Sequence, residues 1–339
     1  MAKIAHLVDS SAYSGAEKIA IELIENDKNN EYFYICREGS IKKVLEDRNI
    51  RYIFYKNVFD LRKICRQENF DIIHCHDFKA SLRGALVKAK HRIAHIHNNA
   101  STSKRVNIKT VLFLMLSTNM DKIVYVSSIT KNEFIFKKLL KKKSTVISNW
   151  INKKERLCND ILDRDIDVLY IGRLRNEKNP KEVIRLVSSL KKEKADIKSY
   201  IIGDGYLEDE IRREVNLLGL EKNIIIKEFT DTPGFYMKKS KVLLVPSKWE
   251  GFGLVILEAM LNGSIVFGNE VGGIKNIIKD GKNGFFYNGD KSDKLVLDVI
   301  NNYENYSSVI ENSKETLEIF DMKKKTQEFY DLYNRILNR

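Results

Sequence analysis

The chain has 339 residues, with 59 Lys and Arg against 46 Asp and Glu, so it is long enough for two domains and carries a formal net charge of +13. No uninterrupted apolar run approaches the roughly 18 residues of a spanning helix, and no signal-type apolar region precedes the first strand, which argues against an integral membrane or secreted protein. Four cysteines (Cys36, Cys65, Cys75, Cys158) lack CxxC or metal-type spacing and read as free thiols of a reducing cytoplasm.

Short β-branched runs alternate with amphipathic stretches along the whole chain. Strands are expected near 3–8, 31–36, 51–55, 71–75, 92–97, 122–126 and 144–147. A second series follows near 166–171, 198–202, 223–227, 241–245, 264–267 and 284–287. Alternation of this kind predicts an α/β protein with parallel sheets and crossover helices, and so many strands predict two sheets. Residues 1–150 form the expected first domain and 151–165, polar and weakly patterned, the linker. Residues 166–320 form the expected second domain, followed by a last helix in 321–339 with Phe329, Leu332, Tyr333, Ile336 and Leu337 on one stripe.

After the first strand comes Ser11-Ala12-Tyr13-Ser14-Gly15-Ala16-Glu17-Lys18, where Gly15 at a helix start can let a phosphate or acceptor approach the backbone. All six histidines lie in the first half. His74 and His76, and likewise His95 and His97, share one face of a strand by alternation. Cysteines and acids supply no third ligand to either pair, so no metal is assigned. Residues 1–160 hold 30 Lys and Arg against 17 Asp and Glu, whereas 161–339 hold 29 of each, and 78–120 hold no acid at all. A basic half implies an anionic partner. Nucleic acid is set aside because no basic motif interleaved with aromatics is found. The stretch 131–143, KNEFIFKKLLKKK, is of helical length and mixes six lysines with five large apolar residues, a candidate contact for an anionic membrane.

In the second half, Asp165-x-Asp167 precedes its strand and reads as a solvated loop. The strand at 166–171 ends in Gly172-Arg173-Leu174-Arg175, followed by Asn176-Glu177-Lys178-Asn179-Pro180. Arg173 and Lys178 would stand at the strand's carboxyl end, suited to a diphosphate: Arg for paired oxygens, Lys as a point charge. Gly203-Asp204-Gly205 forms a tight turn whose expected job is shaping a wall. The strand ending at Val245 is stopped by Pro246 and leads into Glu250-Gly251-Phe252-Gly253-Leu254. A strand, a glycine-rich turn and an apolar helix make an anion site. Glu258 interrupts that helix, and a carboxylate in so apolar a run needs partners, with ribose hydroxyls the natural ones beside a phosphate site.

Glu250 and Glu258, eight positions apart, with these flanks resemble the E-x7-E signature of retaining glycosyltransferases of family four. The Gly172-Arg173-Leu174…Lys178-Asn179, Gly203-Asp204-Gly205, Gly15-Ala16-Glu17-Lys18 and Asn149-Trp150-Ile151-Asn152 stretches extend the resemblance from about residue 3 to 288. It implies a GT-B fold: two doubly wound Rossmann-like domains facing across a cleft, with the terminal helix crossing back to the first. It implies a nucleotide-sugar donor, a UDP-sugar, held by Gly15, Gly203, Arg173, Lys178, Gly251, Phe252, Gly253, Leu254 and Glu258. His97, Glu250, Arg173 and Lys178 would serve the chemistry, without metal or resident cofactor. The expected acceptor is lipid-linked, at the inner membrane face, in surface polysaccharide or capsule synthesis. Three departures stand out: Ser14 and Trp150 where the family has glycine, and Lys227-Glu228-Phe229 where a glycine is usual near the base. Ser14 and Glu228 keep open a second reading, a catalytically silent partner of another glycosyltransferase; a third is a nucleotide-sugar epimerase on the same fold, which would share the nucleotide cleft.

Overall fold

The computed structural model describes residues 1–11, 13, 15–97 and 101–338. Ser14, singled out above, lies outside them. The chain divides into two compact units, 1–150 with 323–339, and 151–322. Each is described by itself.

In the first unit the strands are β1 (Lys3–Val8), β2 (Glu31–Cys36), β3 (Tyr52–Phe54), β4 (Ile72–His76), β5 (His91–Ile96), β6 (Lys122–Tyr125) and β7 (Ser144–Val146). They pair in the order β3-β2-β1-β4-β5-β6-β7, all parallel. The strand order reverses between β1 and β4, the topological switch point where doubly wound sheets open a crevice at their carboxyl ends. Ile4, Leu7, Ile35, Ile72 and Cys75 are buried, as expected of strands covered on both faces. The terminal helix Met322–Leu337 packs on this unit through its apolar stripe. Tyr330 Oη donates to the Leu23 carbonyl at 3.1 Å, and Phe329 meets the Trp150 ring edge-on at 6.0 Å. Trp150 is itself buried, and its indole donates to Glu22 Oε2 at 2.6 Å, so the indole that replaces a glycine is absorbed into the core.

In the second unit β8 (Ile166–Ile171), β9 (Ser199–Ile202), β10 (Ile224–Lys227), β11 (Ser240–Val245), β12 (Ile265–Asn269) and β13 (Phe285–Tyr287) pair in the order β10-β9-β8-β11-β12-β13, again all parallel. Its switch point lies between β8 and β11. One core joins Val168, Leu186, Ile201, Leu244, Phe267 and Val299 from strands and helices. Residues 151–165, expected as a linker, pack on this unit. Cys158 N–H donates to Asn262 Oδ1 at 2.8 Å, Asn262 Nδ2 to the Arg156 carbonyl at 2.9 Å, and Arg164 Nη2 to the Asn262 carbonyl at 2.8 Å. Polar residues are what this docking uses, so low hydropathy there does not mark a free tether.

Two local expectations are corrected. Residues 131–143 are not one helix: it spans Ser128–Glu133, and turns follow through Lys143. Burial of both Phe134 and Leu140, six apart, fits the turn path better than a single helical face. Asp165-x-Asp167 is a solvated loop only at Asp165, exposed just before β8. Asp167 lies buried within β8, accepting from the Lys198 backbone N–H at 3.0 Å and pairing with Lys241 Nζ at 3.0 Å. Asp165 pairs with Lys198 at 2.7 Å and Lys239 at 3.1 Å. Lysines distant in sequence, invisible to a local reading, pair with both carboxylates.

Candidate functional site

Several of the expected site residues of the second unit gather at its switch point. At the carboxyl end of β8 and β11, Lys178 Nζ lies 2.5 Å from Glu250 Oε2. Both border a cavity of about 190 Å³, lined further by Gly172, Val245, Gly253 and Leu254. Gly253 has φ +100°, a conformation costly for any side chain, and turns the chain into the helix Leu254–Leu261. The first amides of that helix therefore open beside the Lys178–Glu250 pair. The loop is braced by a glycine pair from the other side. Gly273 N–H donates to the Glu250 carbonyl at 2.9 Å, and Gly272, at φ +47°, leaves room that a Cβ would lose, since it would fall 1.9 Å from that carbonyl oxygen.

Arg173 is exposed and does not line this cavity; its carbonyl accepts from Tyr170 Oη at 2.9 Å. Burial first, and then the Glu250 carboxylate, push the Tyr170 hydroxyl far up, so it is a fixed neutral donor. Gly203 does shape the wall: a Cβ there would fall 2.0 Å from the Gly172 carbonyl oxygen, so the two turns pack backbone to backbone. Phe252 is buried against Phe320, ring centroids 5.4 Å apart, so its side chain belongs to the core and leaves only its backbone to a ligand.

Glu258, one turn further along the helix, is buried and borders a second cavity of about 270 Å³ with Arg156, Cys158, Asp231 and Phe235. Its Oε1 is 3.4 Å from Arg156 Nε and accepts no hydrogen bond among the described residues. A buried carboxylate oxygen so placed gains from any hydroxyl that reaches it. Arg156 was not foreseen. Its signal was present in Lys153-Lys154-Glu155-Arg156, but only the docking of 151–165 shows which residue faces Glu258.

His97 and Gly15 belong to the first unit. Gly15 is exposed and opens the helix Gly15–Asn26 after β1. His97 follows β5, and its backbone N–H donates to Asp77 Oδ1 at 3.0 Å. Asp77 stands at φ +68°, a left-handed strain held where chain direction changes after β4. His76 precedes the helix Asp77–Gly84 but makes no capping bond. Its ring instead lies among four other histidines. His6 pairs with His74 in the β1–β4 register and His76 with His95 in the β4–β5 register, so the side chains form a ladder on one face. His6 Nδ1 is 2.9 Å from His76 Nε2, and His76 Nδ1 is 3.0 Å from His97 Nε2. His74 Nδ1 meets Tyr333 Oη at 2.6 Å. Burial lowers His6 and His97 to about 3 and lowers His74, His76 and His95 as well, with neighbouring histidines adding to these last three, so all five are neutral. The third ligands that the sequence did not offer are thus supplied across strands: two groups of three histidines lie with nitrogens within 4.8 Å of one another. His6 joins them only through sheet register.

Comparison with known proteins identifies the family. Residues 16–155 match the profile described as Glycosyltransferase Family 4, and residues 152–316 the one described as Glycosyl transferases group 1. An uncharacterized glycosyltransferase of Methanocaldococcus jannaschii is 31% identical over 304 residues, 85% of this chain and 82% of that protein. The chain belongs to glycosyltransferase family four. Among its relatives is the UDP-Gal:alpha-D-GlcNAc-diphosphoundecaprenol alpha-1,3-galactosyltransferase of Escherichia coli, 26% identical over 87% of this chain and 86% of that one. The crystal structure of Anabaena Alr3699/HepE in complex with UDP and glucose superposes with a TM-score of 0.89, at 19% identity, over 99% of this glycosyltransferase and all of that chain. Its fold is accordingly GT-B, with two Rossmann-like α/β domains.

Proposed function

We propose that this glycosyltransferase moves a sugar, with retention, from a UDP-sugar to a lipid-linked glycan acceptor in surface polysaccharide synthesis, without a divalent metal. The observation that carries the donor reading is the Lys178–Glu250 pair at the start of the helix Leu254–Leu261, with buried Glu258 farther along that helix. In this reading Glu258 accepts from the ribose hydroxyls, and the helix amides and Lys178 face the diphosphate. Glu250, released from Lys178 as the phosphates arrive, contacts the sugar. The acceptor O–H attacks the anomeric carbon as the bond to the diphosphate breaks, and the acceptor proton passes to the departing phosphate oxygen. Lys178 and the helix end take up the developing negative charge. Asp165 and Asp167, the Asp-x-Asp pair that could otherwise hold a metal, are engaged by three lysines. Transfer from a panel of UDP-sugars should therefore persist in excess chelator. Complete loss, restored by one particular metal, would overturn the metal-free assignment.

The acceptor reading rests on a surface of the first unit. Helix Ile108–Leu116 buries Thr110 and Phe113 but exposes Ile108, Val111, Leu112 and Met115, the spacing of one stripe. Exposed Lys104, Arg105 and Lys109 flank it. The 134–143 turns adjoin: Ile135 N–H donates to the Ser103 carbonyl at 3.1 Å, and Phe134 meets Phe113 edge-on at 5.6 Å. They add exposed Ile135 and Leu139 with Lys137, Lys138, Lys141 and Lys142. An apolar stripe ringed by lysines suits an anionic bilayer, each basic residue contributing about 1 kcal/mol near the surface. No helix among the described residues is long and apolar enough to cross a membrane. The protein should float with anionic but not neutral vesicles, and Leu112→Glu with Met115→Glu should abolish flotation while leaving UDP binding intact. Flotation unchanged by the double substitution would remove this stripe from the account.

A further inference from the structure

We propose that Arg156 is a positioning residue. It balances the charge of Glu258 without consuming the carboxylate's capacity to accept hydrogen bonds, and so keeps Glu258 aimed at the ribose hydroxyls. The inference rests on the ribose reading of Glu258 given above.

A buried carboxylate needs a counter-charge, hydrogen bonds, or both. Glu258 has the first and, at Oε1, lacks the second. Arg156 Nε lies 3.4 Å from Oε1, and the two side chains are only 12% and 9% exposed, so little water screens the pair. Yet Oε1 accepts no hydrogen bond among the described residues. At 3.4 Å, beyond the usual N–H···O range, the two charges attract without a well-formed bond. The carboxylate is therefore held by charge while room to accept a hydroxyl remains, and it borders the cavity of about 270 Å³ where one would arrive. Glu250 differs. Lys178 Nζ donates to its Oε2 at 2.5 Å, so Glu250 has to exchange a partner for a ligand, whereas Glu258 only gains one.

Arg156 reaches Glu258 because its backbone is tied to the same helix. Asn262 stands one turn after Glu258, at the end of the helix Leu254–Leu261, and is almost fully buried. Its side-chain amide offers two donors and a carbonyl acceptor, and each is used. Nδ2 donates to the Arg156 carbonyl at 2.9 Å and to the Glu258 carbonyl at 2.8 Å, while Oδ1 accepts from the Cys158 N–H at 2.8 Å. One side chain thus fixes the backbone on both sides of Leu157 to the turn that carries Glu258. The helix Pro233–Lys239 closes on the same point. A Cβ on Gly234 would fall 2.8 Å from the Arg156 carbonyl oxygen, so glycine is what lets that backbone approach. Every residue of this arrangement belongs to the second unit.

Without the guanidinium, Glu258 would be a buried charge with nothing to balance it. It would turn toward water, and UDP would have to bring it back at the expense of affinity. The contact at Oε1 does not use the paired N–H bonds that make arginine irreplaceable elsewhere, so a lysine should serve in its place.

Calorimetric titration of the full chain with UDP and with 2′,3′-dideoxy-UDP, which lacks both ribose hydroxyls, tests the inference. Wild-type protein should bind UDP about 10- to 100-fold more tightly than the dideoxy analogue. Arg156→Met keeps the reach of the side chain and removes its charge. It should weaken UDP about tenfold and leave the dideoxy analogue within a few-fold of wild type, so that the ratio shrinks. Arg156→Lys should recover most of the ratio; a residue that only packed the segment would be replaced as well by methionine as by lysine. In a Glu258→Ala background, Arg156→Met should change UDP affinity by no more than a few-fold, because its effect passes through Glu258. Equal weakening of both ligands, or the same loss with and without Glu258, would mean that Arg156 touches the nucleotide itself and would overturn the proposal. Should Arg156→Met fail to fold, Arg156→Gln carries the same comparison. A wild-type chain that binds the two ligands equally would sink the ribose reading and this inference together, whereas a wild-type ratio that survives Arg156→Met sinks this inference alone.

Discussion

Lowering the pH from 7 to 5.5 is expected to destabilise the first unit severely. The five ladder histidines are neutral in the folded chain, with His6 and His97 lowered to about 3 and His74, His76 and His95 lowered too. Unfolded, each titrates near 6.5. Below that value the unfolded chain binds protons that the folded chain refuses. Stability is therefore fully present above about 6.5 and is lost as pH falls toward 3. Each histidine gives up roughly 1 kcal/mol per pH unit once the pH is well below 6.5, and all five act in the same direction, so the loss is large against the stability of a typical domain. Urea denaturation followed by circular dichroism at pH 7.5, 6.5 and 5.5 should show the midpoint of a transition falling steeply. His95→Phe, which removes two buried nitrogens lacking partners among the described residues, should make that fall shallower. A midpoint constant from 7.5 to 5.5 would mean the ladder is not neutral and buried in the native protein.

Lys178→Ala should cut kcat by about two to three orders of magnitude, and Glu250→Ala should lower kcat more than it raises donor KM. In the proposed reading Lys178 faces charge that develops only as the diphosphate departs, the kind of contact worth roughly 3–4 kcal/mol in other enzymes. The two are paired at 2.5 Å with half-buried side chains, so deleting one leaves the other's charge in a poor environment. The double variant should therefore lose less than the product of the single losses. Steady-state kinetics on the three variants, with donor and acceptor varied separately, check this. Strict multiplicativity would mean the pair acts as two independent groups and that its contact in the unliganded chain carries no consequence for the reaction.

Much of the fold was legible because its signals are local. Buried parallel strands read as short β-branched runs bounded by glycine, proline and polar clusters, and each of the thirteen expected strands has its counterpart. The candidate cavities of the second unit were legible for the same reason: Lys178, Glu250 and Gly253 lie on turns after strand ends, and Glu258 in the helix that follows. What escaped depends on partners distant in sequence. Asp167 looked solvated because Lys241 is 74 positions away. Phe252 sits inside the glycine-rich motif, yet Phe320 takes its side chain into the core. His6 looked like one more strand residue because only the β1–β4 register sets it beside His74 and within reach of His76. Residues 131–143 have helical length and composition, but burial of both Phe134 and Leu140 calls for a tighter path than one helical face allows. The exposed stripe on Ile108–Leu116 was read only as part of an acid-free region, since its i, i+3, i+4, i+7 spacing is equally that of a buried face.

The central claim is that the second unit holds a nucleotide diphosphate through Glu258, and calorimetric titration of UDP into the full chain tests it most directly. Wild-type protein should bind UDP without added metal. Glu258→Ala should weaken that binding by about 10- to 100-fold, the loss of hydrogen bonds from ribose hydroxyls to a charged acceptor. Glu250→Ala, which in the proposed reading loses a contact to the sugar and not to UDP, should bind UDP within a few-fold of wild type. No heat with UDP in the wild type, or a Glu258→Ala variant that binds it with undiminished affinity, would contradict the account.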